Sequence, residues 1–178
     1  MTVPDTRPIA LIGLMGAGKS SVARELGERL GVSVADLDSM LEASEGCTVA
    51  EYFARSGEEA FRRREGELLE QVLRAGVSVI ACGGGTVLDE GSRALLRERC
   101  HVVWLEVSPA EALRRVNSAG PPASIRPLLA GDDPGSRLES LLAERASLYA
   151  ETATRRIATG GRDAAQVAGE ILSARTRE

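Results

Sequence analysis

No apolar run in this 178-residue chain approaches the ~18 residues that a membrane span needs. The sequence therefore implies no membrane partner. It also has no block of basic residues. Its 22 lysines and arginines are outnumbered by 26 acids, giving a formal charge of −4, which disfavours a general nucleic-acid surface. There are three cysteines, Cys47, Cys82 and Cys100. Their odd number and lack of metal-ligand spacing exclude a disulfide framework or zinc site and point to free, buried thiols in a reducing cytoplasm. The stretch from Met1 to Arg7 carries charges and no apolar signal core, so export is not expected and the cytoplasm is. No internal repeat, linker or heptad appears. The expectation is one domain over 1–178, acting as a monomer. With 43% hydrophobic and 27% charged residues, the chain has the balance of a soluble globular protein.

Lysine is the scarcest of these absences. The other basic residues are all arginine, and the one lysine is Lys19. It stands in Gly13-Leu-Met-Gly-Ala-Gly18-Lys19-Ser20, which fits G-x-x-x-x-G-K-[ST] without mismatch. The context also fits. Pro8 to Gly13 reads as a short buried strand. After the turn comes a helix with Val22, Leu26 and Leu30 on one stripe, ended by Gly31. The glycines let backbone N–H groups converge on an anion, and the helix N-terminus adds partial positive charge. Lys19 can bridge the β- and γ-phosphates of a nucleotide, and the Ser20 hydroxyl can ligate Mg²⁺.

Further strands are expected over 32–35, 77–81, 102–107 and, more weakly, 155–159. Helices are expected between them. Thr48–Glu51 and Ser56–Glu59 each read as a capping box, and further starts fall at Ser108-Pro109, Ser136 and Asp163. Another helix is expected over 91–99. Alternating strands and helices predict a parallel sheet covered on both faces. The segment 117–134, with two glycines and four prolines, reads as a mobile loop.

A phosphate loop does not name a reaction. Small-molecule kinases, switch GTPases and motor ATPases all use one. Here no Asn-Lys-x-Asp guanine-reading motif appears, and no apolar strand ends in aspartate as motor ATPases require. A compact kinase is favoured. Asp36 and Asp38 close the second strand at the edge where parallel sheets bind ligands. In an extended segment they face opposite ways, one toward Mg²⁺ through water and one toward a substrate hydroxyl, although either could cap a helix. Gly83-Gly84-Gly85 ends the third strand at the same edge, where it forms either a backbone platform for a ligand or a plain turn. Arg62, Arg63 and Arg64 fan over about 200° of a helix, so at least one faces solvent. Clustered or buried arginines, with Arg126 and Arg145 as further candidates, suit carboxylate or phosphate. Together these residues suggest a small acceptor with hydroxyls and a negative group. His101 and Trp104 read as structural, and Cys82 as unreactive.

Five stretches in order resemble the shikimate kinases. They are GLMGAGKSS (13–21), the Asp36-x-Asp38 pair, GEEAFRRRE (57–65), CGGGTV (82–87), and IRPLL (125–129) with ERASLY (144–149). The resemblance implies a three-layer α/β/α P-loop fold of the nucleoside-monophosphate-kinase type. It would have a five-stranded parallel sheet, a lid at about 117–134 and an acceptor region at about 36–65. It implies transfer of the γ-phosphoryl of ATP to the 3-hydroxyl of shikimate, with Mg²⁺. By this resemblance Gly16, Ala17, Gly18, Lys19, Ser20 and Ser21 hold the phosphates, and Arg115 stacks on adenine. Ser20 and Asp36 serve the metal. Asp38 binds the reacting hydroxyl and acts as base. Arg62 and Arg145 clamp the shikimate carboxylate, Gly83, Gly84 and Gly85 shape the acceptor site, and Glu65 holds its network together. Arg126 reaches the transferring phosphate from the lid. A sister gluconate-type kinase and a nucleotide-binding regulatory protein without transfer activity are the alternatives.

Overall fold

The structure is a computed structural model and describes residues 6–118 and 133–175. Most of the expected lid, Arg126 included, lies outside the described residues. Five strands form one parallel sheet: β1 (Ile9–Ile12), β2 (Val34–Asp36), β3 (Val79–Ala81), β4 (His101–Glu106) and β5 (Arg155–Ala158), in the order β2-β3-β1-β4-β5. The central strand β1 pairs Ile9 with Val79 on one side and with His101 on the other. Its four residues are all buried, as a strand covered on both faces must be.

Alternation along the strands divides the core in two. Ile9, Leu11, Val79, Ala81, Val103 and Leu105 face one layer of helices. This layer holds α1 (Lys19–Leu30), α5 (Pro109–Ser118), the first turns of α6 (Pro134–Thr152) and α7 (Ala164–Arg175). Ala10, Ile12, Ile80, Val102 and Trp104 face the other layer. There lie α2 (Leu37–Glu45), α3 (Val49–Arg74), α4 (Glu90–Arg99) and the last turns of α6, through Tyr149. The architecture is the three-layer α/β/α arrangement of P-loop kinases.

Several boundaries differ from expectation, each for a local reason. Leu30 is 42% exposed rather than part of the buried stripe, because α1 ends there at Gly31. The second strand starts at Val34, two residues late. The helix α2 follows it without a loop, so the helix-capping alternative holds for one of the two aspartates: Asp36 caps α2 by accepting the Ser39 amide at 3.1 Å. The capping box at Thr48 opens α3, and at Gly57 (φ 79°, ψ 170°), a conformation open to glycine, the backbone leaves helical geometry, so that α3 consists of two helical segments and the second begins close to the start expected at Ser56. The helix α6 is capped by Asp133, ahead of Ser136. His101 and Trp104 are buried in β4, and Cys82 and Cys100 are buried free thiols whose pKa values burial pushes up.

Candidate active site

The loop between β1 and α1 has a shape that side chains would spoil. Gly16 has φ 77°, and a Cβ there would sit 2.6 Å from the Ala112 carbonyl oxygen. Gly13 is equally confined, with a Cβ position 2.4 Å from the Leu105 oxygen. The backbone thus wraps closely over β4 and α5. The residue before α1, Gly18, brings no capping side chain, so the first N–H groups of the helix point toward the loop interior. The largely buried Lys19 folds back across the loop, its Nζ donating to the carbonyls of Gly13 at 2.9 Å and Leu14 at 3.0 Å. The Ser20 hydroxyl donates to Asp36 Oδ2 at 2.5 Å, tying the loop to the end of β2.

Beside this loop opens a cavity of about 210 Å³. Ser20, Asp36, Asp38, Arg62, Gly85 and Arg145 are among its lining residues. Asp36 and Asp38 therefore share one cavity rather than facing apart. The chain turns from strand to helix between them, which replaces the alternation of an extended segment with helical geometry. The apolar wall is Met15, Val49, Phe53 and Phe61.

The arginines sort cleanly. Arg62 reaches the cavity, its guanidinium 5.0 Å from the Phe61 ring centre and hydrogen-bonded to Glu65 Oε2 at 2.5 Å. Arg63 is exposed, and Arg64 pairs with Glu45 and Glu67 away from the cavity. Arg145 is only 3% exposed, and its Nη1 donates to the Gly84 carbonyl at 3.2 Å. The Nε atoms of both Arg62 and Arg145 are buried without a hydrogen-bond partner among the described residues. A buried and a half-buried guanidinium with donor capacity left over, both lining one cavity, are suited to a carboxylate ligand.

Glu65 lies beneath Arg62, 3% exposed, accepting from the Thr86 hydroxyl at 3.2 Å. Burial holds its pKa above the ordinary carboxylate range, the Arg62 charge opposes that, and the nearby Asp38 charge adds to it. The glycine triplet makes room for this network. A Cβ on Gly83 would lie 2.2 Å from Glu65 Oε1, and one on Gly85 would lie 2.4 Å from Arg62 Nη1. Gly84 and Gly85 line the cavity, whereas Gly83 backs it from behind, against Glu65 and Thr86.

Two parts of the site were not visible in the sequence. Tyr149, expected only as part of an apolar stripe, is fully buried, and its hydroxyl donates to the Gly84 carbonyl at 2.5 Å. It stacks on Trp104, and burial raises its phenol pKa to about 12. Glu42 also lines the cavity, which could not be anticipated without α2.

On the far side of the phosphate loop lies a wider, open cleft between α5 and the turn after β5. Arg115 is fixed there by Glu111 at 2.8 Å, by the Thr159 hydroxyl at 3.2 Å and carbonyl at 2.5 Å, and it approaches the Gly16 carbonyl at 3.5 Å. The neighbouring Arg114 is 70% exposed and pairs only with Glu111 among the described residues.

A metal can be tested against these donors. Ser20 and Asp36 offer oxygen only, and among the described residues no cluster of three or more histidines, cysteines or acids could cage an ion. One hydroxyl and one carboxylate fit Mg²⁺, which keeps several waters and takes its remaining ligands from phosphate.

Comparison with known proteins agrees with this geometry. A sequence model of the shikimate kinase family matches residues 15–176. The shikimate kinase of Symbiobacterium thermophilum is 44% identical over 164 residues, covering 92% of this chain and 93% of its own. The structure of the Acinetobacter baumannii shikimate kinase in complex with shikimate superposes with a TM-score of 0.90 at 34% identity, over 98% of this chain and 95% of that one. A gluconokinase from Sinorhizobium meliloti shares the fold, with a TM-score of 0.61 at 20% identity. A phosphate loop and a cavity lined by acids and by two arginines thus occur in a chain that matches the family almost end to end, and the chain belongs to the shikimate kinase family.

Proposed function

We propose that this chain transfers the γ-phosphoryl group of ATP to the 3-hydroxyl of shikimate, giving shikimate 3-phosphate and ADP. One observation carries the reading beyond family membership. One cavity is lined by Ser20 of the phosphate loop, by Asp38 and by both Arg62 and Arg145. Shikimate is a ring carboxylate with three hydroxyls, so it can place its carboxylate on the arginines and a hydroxyl beside Asp38.

The chemistry then asks mainly for positioning and charge. The N–H groups of the loop from Gly16 to Ser21 and the Lys19 ammonium would hold the β- and γ-phosphates. For Lys19 this means exchanging its carbonyl partners for phosphate oxygens. Ser20 and Asp36 would hold Mg²⁺, which when bound neutralises phosphate charge. Asp38 orients the acceptor hydroxyl in line with the γ-phosphorus. The new O–P bond forms as the bond to the β-phosphate oxygen breaks, and the hydroxyl proton passes to the Asp38 carboxylate. Arg62 and Arg145 fix the ring at its other end, Gly84 and Gly85 form its floor, and Gly83 gives Glu65 room to hold Arg62. Arg115 would face the adenine in the open cleft. Arg126 lies outside the described residues, and its assignment to the transferring phosphate rests on its motif.

The test is coupled ADP release from Mg·ATP with and without shikimate, beside the Asp38→Asn variant. Release should depend on shikimate and fall by about 10²–10⁴-fold in the variant, the range for loss of a positioned base. Release that ignores shikimate but responds to gluconate or another polyol would replace the acceptor. Nucleotide binding without any acceptor-dependent release would favour a regulatory protein.

A further inference from the structure

Arg62 and Arg145 both line the cavity, and Arg145, 3% exposed, has an Nε without a hydrogen-bond partner among the described residues. The helix α2 borders the same cavity with Asp38 and Glu42, four residues apart and so on one helix face. Asp38 has its part in the transfer. Glu42 has none so far, yet it is not an ordinary surface acid. Its Oε1 accepts the Val49 amide at 3.0 Å, the first residue of α3, which fixes the carboxylate at the cavity wall. Nearby surface acids such as Glu45 and Glu67 are paired with Arg64. No arginine pairs with Glu42 among the described residues, and the arginines of the cavity are engaged elsewhere, Arg62 by Glu65 and Glu58, Arg145 by the Gly84 carbonyl. A carboxylate oriented through one oxygen keeps its other oxygen as an acceptor with charge behind it.

We propose that Glu42 is a specificity-determining residue of the acceptor site. Its second carboxylate oxygen accepts a hydrogen bond from a ring hydroxyl other than the one phosphorylated. The residue thereby selects polyhydroxylated ring acids over acceptors that lack that hydroxyl. This inference rests on the assignment of shikimate as acceptor. It explains why a pocket lined by two arginines also carries more carboxylate than the transfer itself uses. An acceptor without the matching hydroxyl would leave the oriented oxygen desolvated and unpaired, and that penalty is a strong source of discrimination.

The test is steady-state kinetics of wild type, Glu42→Gln and Glu42→Ala with shikimate, 4-deoxyshikimate and 5-deoxyshikimate. The Gln variant keeps a carbonyl oxygen for the Val49 amide and removes the charge. It should raise KM for shikimate by about tenfold, as for one charge-assisted hydrogen bond. With one of the two deoxy acceptors the same substitution should change KM by less than about twofold, a non-additive cycle that identifies the hydroxyl. The Ala variant should show the same acceptor-dependent loss plus a lower Tm from the lost cap. Equal losses with shikimate and both deoxy acceptors would assign Glu42 a purely structural role and overturn the proposal. No loss with shikimate in the Gln variant would overturn it too. Wild-type enzyme that shows no shikimate dependence would instead overturn the acceptor assignment, and the inference with it.

Discussion

At the phosphate end of the cavity, eight consecutive residues from Gly13 to Ser20 supply backbone donors, a lysine and a hydroxyl. At the acceptor end, the groups come from segments far apart in the chain. The Arg145 guanidinium and the Gly84 carbonyl that it meets are 61 residues apart. One end is built from backbone geometry enforced by glycine, the other from side chains that hold one another. The phosphate end is consequently indifferent to most of the surrounding sequence. The acceptor end stands or falls with a network of Arg62, Glu65, Thr86, Gly84, Arg145 and Tyr149. The largest effect that separates the two should come from Lys19→Met. Loss of this ammonium removes the charge that faces the phosphates, and kcat/KM should drop by about 10³-fold, near the upper range for a preorganised electrostatic donor. Any residual ATP hydrolysis measured without shikimate should fall as well, because this end serves the nucleotide alone. Hydrolysis that persists while transfer disappears would move Lys19 functionally to the acceptor end.

Next in size is a pair of substitutions within the glycine triplet. The Cβ of Gly85→Ala would fall 2.4 Å from Arg62 Nη1, at the far end of a movable side chain. The fold can yield, but Arg62 cannot stay where it is. KM for shikimate should rise by about 10–100-fold, as expected when a bidentate charged contact of roughly 1.5–3 kcal/mol is lost, and KM for ATP should change little. Gly84→Ala meets nothing closer than the Met15 amide nitrogen at 3.5 Å, an ordinary contact, and should be several-fold milder. If both substitutions raise both KM values together, the ends are not separable and the comparison fails.

What could be read from the sequence divides along the same line. The phosphate loop was legible because its chemistry lies in adjacent residues and glycine leaves a local signature. The strands were legible as apolar runs, with edges misplaced by a residue or two. Arg62 and Arg63 could not be separated, since neighbours on a helix differ only in which face the rest of the fold presents. Asp36 and Asp38 were expected to face apart, which holds for a strand. The turn into α2 occurs at Asp36 itself, and the apolar stripe of that helix, Leu37, Met40 and Leu41, is little more than one turn long. Glu42 was hidden for the same reason. Tyr149 was read as an apolar body, and only the fold reveals that its hydroxyl ends on a glycine carbonyl 65 residues away.

Tyr149→Phe tests whether that hydroxyl shapes the acceptor end or only the core. The ring would keep its stacking on Trp104, so the loss is one buried hydrogen bond, about 1 kcal/mol of stability. The Gly84 carbonyl would retain the Arg145 contact alone. KM for shikimate should rise a few-fold beyond what the modest loss of Tm accounts for, with KM for ATP unmoved. A Tm loss with shikimate kinetics intact would make Tyr149 a core residue and shrink the acceptor network.

The smallest effect decides what holds Glu65. Burial raises its pKa above the ordinary value of 4.5, the Arg62 charge lowers it, and Asp38 raises it again, with a net upward shift. The folded chain therefore binds this proton more tightly than the unfolded chain. As pH climbs from about 4.5 through the folded pKa, the unfolded state ionises first, and Glu65 takes stability away with rising pH. Glu65→Gln removes that titration and leaves the other groups in place. The Tm of the wild type relative to the variant should fall as pH rises from 4.5, then level off once the folded carboxyl has ionised. A rise over the same interval would mean that the ionised pair with Arg62 outweighs burial. The acceptor end would then be held by charge pairing, and acid conditions should loosen Arg62 before they disturb the phosphate loop.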